Sequence, residues 1–222
     1  STDAWHRMGR IILFAIPAQF GLTGVQIASS ILFLITIYYS KKILDIKNVR
    51  YSEWIIPVIG FQPVLFNISY TALAELPAAF LIILSYYFYI KNKPSSVMIA
   101  SSLIFLFRTE YFYVAGIYFL IYAFRKNYKV LPLIITAPIM WYIYTTLATG
   151  NPTQFFHEIL LHTQLLKIDA GVDWYYYLLH SFKIFGLIQI IFLIYAIIIL
   201  LKRNQVKEYI LILTIAFSGI LI

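Results

Sequence analysis

The chain has 222 residues, 62% of them hydrophobic and 12% charged, with a formal net charge of +8. Soluble domains run at about 45–50% apolar and about 25% charged, so no ordinary soluble core hides this much apolar surface, and lipid must supply most of the solvent. The basic residues sit in short connections between apolar runs, where membrane topology needs them, which excludes nucleic acid as their partner; the lack of cysteine excludes disulfides, thiolate catalysis and Cys-ligated metal centres.

The apolar runs are long and unbroken, which points to helices and not to the alternating ten-residue segments of a barrel. The predicted fold class is therefore all-α: a polytopic transmembrane helical protein of about eight spans, with residues 1–222 forming a single transmembrane domain. The segments are 11–40, 53–69, 71–90, 95–109, 111–124, 130–148, 184–201 and 208–222. The first is long enough for a short leading helix followed by a span, with a break near Pro17 or Gly21–Gly24. The second is short and carries Pro57, Gly60 and Pro63. Alone it reads as re-entrant, but the charge pattern requires it to cross as a kinked helix. Residues 149–183 form an outer interfacial loop. Within it Gly150-Asn151-Pro152 reads as a helix start, with Asn as N-cap and Pro at the first helical position. The helix that follows is expected to lie in the interface plane, ahead of the headgroup-level aromatics Trp174 and Tyr175–Tyr177. No cleavable signal peptide is visible. The chain ends inside an apolar run, Tyr209–Ile222, and is expected to be truncated at one or both ends.

Charge sets the orientation. The connections with Lys41, Lys42, Lys47 and Arg50, then Lys91 and Lys93, then Arg125, Lys126 and Lys129, then Lys202, Arg203 and Lys207 hold 12 of the 17 basic residues. They are expected on the cytoplasmic side. The outer side then carries Asp3, His6, Glu75, Arg108, Glu110, His157, Glu158, His162, Asp169, Asp173 and His180. The polar chemistry of the chain is expected there.

Asp3, just outside the first span, reads as a general base screened from water or as the N-cap of the helix it precedes. Glu75, at the outer end of an apolar helix, reads as a functional acid or as a first-turn residue favoured by the helix dipole. Arg108 reads as a phosphate ligand, or as an interfacial Arg that snorkels or pairs with Glu110 or Glu75. His157 and His162 are five apart and diverge by about 140° on a helix, so the zinc-protease pattern, which needs a spacing of four, is rejected.

Four short motifs carry a family resemblance. They are Ser1-Thr2-Asp3-Ala4-Trp5-His6, Ala74-Glu75-Leu76-Pro77, Leu106-Phe107-Arg108-Thr109-Glu110 and Thr149-Gly150-Asn151-Pro152-Thr153-Gln154-Phe155-Phe156. Together and in this order they resemble the GT-C superfamily of multi-spanning glycosyltransferases, which includes protein O-mannosyltransferases and aminoarabinose transferases. The chain departs from the acidic motif of that family, which often has two adjacent acids, where Asp3 stands alone. The resemblance implies an inverting transferase that moves a sugar from a polyprenyl-phosphate donor to an acceptor on the extracytoplasmic face. It implies Asp3 as catalytic base and Arg108 as ligand of the donor phosphate. Glu75, Glu110, His6, Trp5, His157 and Trp174 are the substrate-binding candidates. Asp3 with Glu75 is the pair that would hold a divalent cation, if one takes part.

Two other functions compete. A transporter or flippase of a lipid-linked or small polar substrate predicts charges lining a path open to both sides. A non-enzymatic subunit of a membrane complex predicts that Asp3, Glu75 and Arg108 lie scattered. The abundance of Ile, Tyr and Lys suggests an AT-rich prokaryotic genome, and hence a multi-pass protein of a prokaryotic plasma membrane.

Overall fold

A computed structural model describes residues 8–71, 73–157 and 159–160, with the backbone alone at 63–65 and 110. The segments expected at 184–201 and 208–222 lie outside the described residues, as do Asp3, Trp5, His6 and Trp174. Among the described residues every regular element is helical: α1 (Met8–Phe14), α2 (Gly21–Ile46), α3 (Ile55–Gly60), α4 (Pro63–Ile68), α5 (Glu75–Ile90), α6 (Pro94–Leu103), α7 (Tyr113–Phe124) and α8 (Thr136–Thr149). Short 3₁₀ turns join several of them.

The break expected near Pro17 and Gly21 is present. A 3₁₀ turn, Pro17–Phe20, separates α1 from α2, and Gly21 takes a left-handed φ of 69°. The elbow is tight, because a Cβ on Gly24 would run into the Pro17 carbonyl oxygen. From there α2 runs for 26 residues, about 39 Å at 1.5 Å per residue.

Residues 52–71 run back along α2. Ser52 Oγ donates to Asp45 near the C-terminal end of that helix. Ser29 and Ser30, near its other end, donate to the carbonyls of Thr71 (3.4 Å) and Ser69 (3.5 Å). The stretch between Ser29 and Asp45 spans about 24 Å of helix rise, so this segment runs alongside that length of α2. The expected kink is a complete break, with α3 ending at Gly60 and α4 starting at Pro63. Proline at the first position of α4 costs no hydrogen bond.

Helix α5 lies parallel to α2. Its first turn puts Leu76 against Phe33, Ile37 and Ile68, and its last turns bring Tyr87 to 5.1 Å from Tyr39. After the Lys91–Lys93 turn, α6 returns antiparallel. A turn through Arg108 then leads to α7, which runs back until Tyr118 lies 5.8 Å from Tyr89. Ala78, Leu81, Val97, Met98, Ile104, Val114, Tyr118, Tyr122 and Val130 form the main core. Small buried residues, including Ser85, Ala100, Ser101 and Ser102, let α5, α6 and their neighbours approach closely.

The segment expected as one helix over 130–148 starts as a 3₁₀ helix, Tyr128–Ile135, before α8. Two prolines cause this. Pro132 removes one donor inside the 3₁₀ stretch, and Pro138 removes the N–H that Ile134 would accept from in an α-helix. Ser102 Oγ of α6 takes over, donating to the Ile134 carbonyl at 2.6 Å and accepting from the Ala137 N–H at 3.0 Å.

Three helices end alike. The last turns of α2, α5 and α7 close with a six-to-one bond: Val49 N to Leu44 O, Lys93 N to Phe88 O, and Asn127 N to Tyr122 O, at 2.9–3.0 Å. Each has a left-handed residue at the stop, Asn48, Asn92 or Lys126, as in a Schellman motif. Polar packing joins these ends. Lys42 lies over Tyr87 at 6.0 Å, and Arg125 Nη2 donates to Tyr89 Oη at 2.8 Å. The three basic connections described, 41–50, 91–93 and 125–129, therefore share one end of the bundle.

Two stretches are long and apolar enough to cross a membrane, Pro17–Ile46 and Tyr128–Thr149. Only 22% and 17% of their most apolar windows are buried inside the bundle, unlike the core helix of a soluble protein. The other apolar helices, Glu75–Ile90, Pro94–Leu106 and Tyr113–Phe124, have 10–17 residues, below the roughly 20 that a straight span needs.

Candidate functional site

The end of the bundle opposite the basic connections holds two of the sequence-predicted residues together. Glu75 is the first residue of α5. Its carboxylate sits in the first turn, where the helix dipole favours negative charge, and Pro77 lies where a missing N–H costs nothing. Arg108 has extended backbone, φ −144° and ψ 101°, between the 3₁₀ turns Ile104–Leu106 and Thr109–Phe112. Its N–H is held by the Ile104 carbonyl at 2.9 Å, and its own carbonyl accepts from the Tyr111 N–H at 3.2 Å. Fixed in this way, the side chain reaches across, and Arg108 Nη2 pairs with Glu75 Oε1. Glu75 is thus one of the partners open to Arg108 from sequence that the structure places against it.

The pair is about one-third exposed, at 31% for Arg108 and 33% for Glu75, so it faces both core and surroundings. Three further polar atoms here are buried with no hydrogen-bond partner among the described residues: Glu75 Oε2, Arg108 Nε and Thr109 Oγ1. An acceptor, a charged donor and a hydroxyl thus lack a partner on Glu75, Arg108 and the residue that follows it. Buried polar groups are normally satisfied, so this trio is chemically suited to holding a polar ligand that offers both phosphate-like and hydroxyl groups.

Neighbouring elements brace the turn. Met8 of α1 and Ala137 of α8 pack on Leu106. A Cβ on Gly9 would lie 2.8 Å from the Leu106 carbonyl oxygen, so α1 sits directly on the backbone two residues before Arg108. Phe105 stacks edge-on against Phe112 at 5.1 Å and tilts on Trp141 at 5.3 Å. Trp141 in turn meets Phe155 at 5.8 Å.

Phe155 belongs to the segment after Gly150, and the helix start expected there is present. Asn151 Oδ1 accepts from the Thr153 N–H at 3.0 Å, as an N-cap does. Phe155 is buried against α8, and His157, two residues on, is exposed. No described contact joins His157 to Arg108 or Glu75. Glu110 lies in the Thr109–Phe112 turn, and only its backbone is described. Asp3, His6, Trp5 and Trp174 lie outside the described residues.

Among the described residues no group of three His, Asp or Glu side chains is placed to hold a metal ion. Glu75 has one oxygen committed to a guanidinium, whose positive charge opposes a second cation. The described residues alone do not fit a divalent ion, and Asp3, the other member of the expected pair, lies outside them. Sequence reasoning missed Thr109 as a site residue; its place between Arg108 and Glu110 was the available signal.

A comparison with protein-family models, curated proteins and solved structures finds no match for this chain.

Proposed function

We propose that the chain is a polytopic membrane glycosyltransferase of the GT-C kind, which moves a sugar from a polyprenyl-phosphate donor to an acceptor on the extracytoplasmic face. In this reading the shorter helices also cross, tilted and completed by their 3₁₀ turns, and the basic end is cytoplasmic. The observation that carries the proposal is the Glu75–Arg108 pair opposite the basic end, each member keeping one unsatisfied polar atom beside that of Thr109. Two residues singled out separately from sequence, 33 positions apart, belong to one site.

The acceptor hydroxyl or amine attacks the anomeric carbon as the bond from that carbon to the phosphate oxygen breaks. The electron pair leaves on the polyprenyl phosphate, and the acceptor proton passes to the Asp3 carboxylate. Arg108 stabilises the phosphate, whose charge grows in the transition state. Glu75 holds the guanidinium in place with one oxygen and offers the other to a sugar or acceptor hydroxyl.

The test is transfer of labelled sugar from polyprenyl-phosphate donors in membranes bearing the full-length protein, beside Asp3→Asn and Arg108→Ala. Transfer that collapses in both variants supports the proposal. Full turnover by Asp3→Asn removes the base assignment, and unchanged donor affinity in Arg108→Ala removes the phosphate role.

A further inference from the structure

We infer that the basic end of the bundle is a binding surface for the headgroups of anionic membrane phospholipids, centred on the paired turns 91–93 and 125–129. These turns bring Lys91, Lys93, Arg125, Lys126 and Lys129 to one place, all exposed. The turns are adjacent: Arg125 donates to the hydroxyl of Tyr89, two residues before Lys91, and Val97 and Val130, just inside each turn, share the main core.

Among the described residues no carboxylate lies on either of these two turns. From Glu75 to Glu158 the only acid is Glu110, which lies on the turn next to Arg108 at the opposite end of the bundle. Asp45, on the neighbouring connection, is taken by Lys41 at 2.8 Å and by Ser52. None of the five cations has an ion pair among the described residues. Five unpaired cations at such spacing repel each other, and an anionic partner relieves that repulsion.

The surface beside the cations identifies the partner. Phe124, next to Arg125, is 84% exposed, and Leu120, one turn earlier on the same helix, is 55% exposed. A partner must therefore present anionic groups and hydrocarbon side by side. A free phosphate or a nucleic acid offers the first alone, whereas a leaflet of anionic phospholipid offers both. Lys stems run along the hydrocarbon while their ammonium groups reach the phosphates. Arg125, steadied over the Tyr89 ring at 5.3 Å, presents a fixed fork to one headgroup. Juxtamembrane cations gain free energy for each charge near an anionic surface. The inference rests on the membrane placement above and is independent of the transfer chemistry.

The test is lipid retention by the purified full chain, exchanged into micelles holding equal amounts of phosphatidylglycerol and phosphatidylcholine, with bound lipid counted by native mass spectrometry. Wild type should retain phosphatidylglycerol preferentially, by roughly tenfold or more, and the preference should fade at about 1 M salt. Replacing Lys91, Lys93, Lys126 and Lys129 by Gln should abolish it. Lys41→Gln with Lys42→Gln should leave most of it, because those side chains are already engaged by Asp45 and Tyr38. Equal retention of both lipids by wild type, or a preference that survives in the quadruple variant, overturns the inference. The salt titration of wild type decides the matter if the quadruple variant fails to fold. A chain that stays soluble without detergent would instead refute the membrane placement itself.

Discussion

Ser102→Ala is expected to destabilise the bundle far more than Ser101→Ala, although both serines are fully buried on the same helix. Ser101 Oγ donates only to the Met98 carbonyl of its own helix, at 3.1 Å, so its loss leaves no other group stranded. Ser102 Oγ serves two groups on another element, the Ile134 carbonyl and the Ala137 N–H. Pro138 cannot supply the missing donor to Ile134. The Leu133 carbonyl, which Ala137 would turn to in a regular helix, already accepts from Thr136 Oγ1 at 2.7 Å. A buried donor or acceptor left unmade costs about 1–3 kcal/mol, and no water reaches it in lipid. Two such groups, with partial relaxation, set the loss at about 2–4 kcal/mol, against under about 1 kcal/mol for Ser101→Ala. The assay is reversible unfolding in mixed micelles. Adding Pro138→Ala to Ser102→Ala restores an N–H four residues beyond Ile134 and should recover about half of the loss. If Ser102→Ala falls within about 0.5 kcal/mol of Ser101→Ala, the splice does not contribute as described.

Gly9→Ala should cost about 1–3 kcal/mol by the same unfolding assay, because the new methyl meets the Leu106 backbone carbonyl, which cannot step aside. It should also lower sugar transfer by shifting the turn that carries Arg108. Arg108→Ala should reduce kcat by about 10²-fold in the transfer assay, with Arg108→Lys only partly restoring it, since a lysine lacks the fork that satisfies Glu75 and a phosphate together. Glu75→Gln should keep the fold and lower kcat, and unchanged kinetics would count against its positioning role. Lys126→Gly should stabilise by about 1 kcal/mol, because Lys126 sits at φ 57°, where a Cβ is penalised. A loss of stability there would refute the left-handed stop.

Much of the framework could be read directly from residues with strong local preferences. Pro17 and Gly21 announced the elbow, Gly60 and Pro63 the break between α3 and α4, and Asn151-Pro152 the cap beyond α8. The clustering of basic connections at one end also followed from charge alternation alone. What escaped was longer in range. Ser102 and Pro138 are far apart in sequence, and nothing local says that one compensates the other. The 3₁₀ winding of 128–135 depends on that same repair. Glu75 lies 33 positions before Arg108, and only the placement of α5 beside the turn brings the two together. The left-handed stop at Lys126 carries no glycine to betray it, although Asn48 and Asn92 in similar settings were legible in hindsight.

On the membrane placement proposed above, the matched stops on α2, α5 and α7 bear on how the protein would meet bilayers of different thickness. A helix whose last carbonyls are free can add a turn when the hydrocarbon deepens. One closed by a left-handed residue and a six-to-one bond must first undo both. The lengths of these three helices are thus set by the chain and not by the lipid, at about 39, 24 and 18 Å for 26, 16 and 12 residues. In a thicker or thinner membrane the bundle is left to tilt or to deform the lipid around it, each at a fraction of a kcal/mol per Å of mismatch. Because the three stops are linked through Lys42, Tyr87, Tyr89 and Arg125, that adjustment falls on all three helices together.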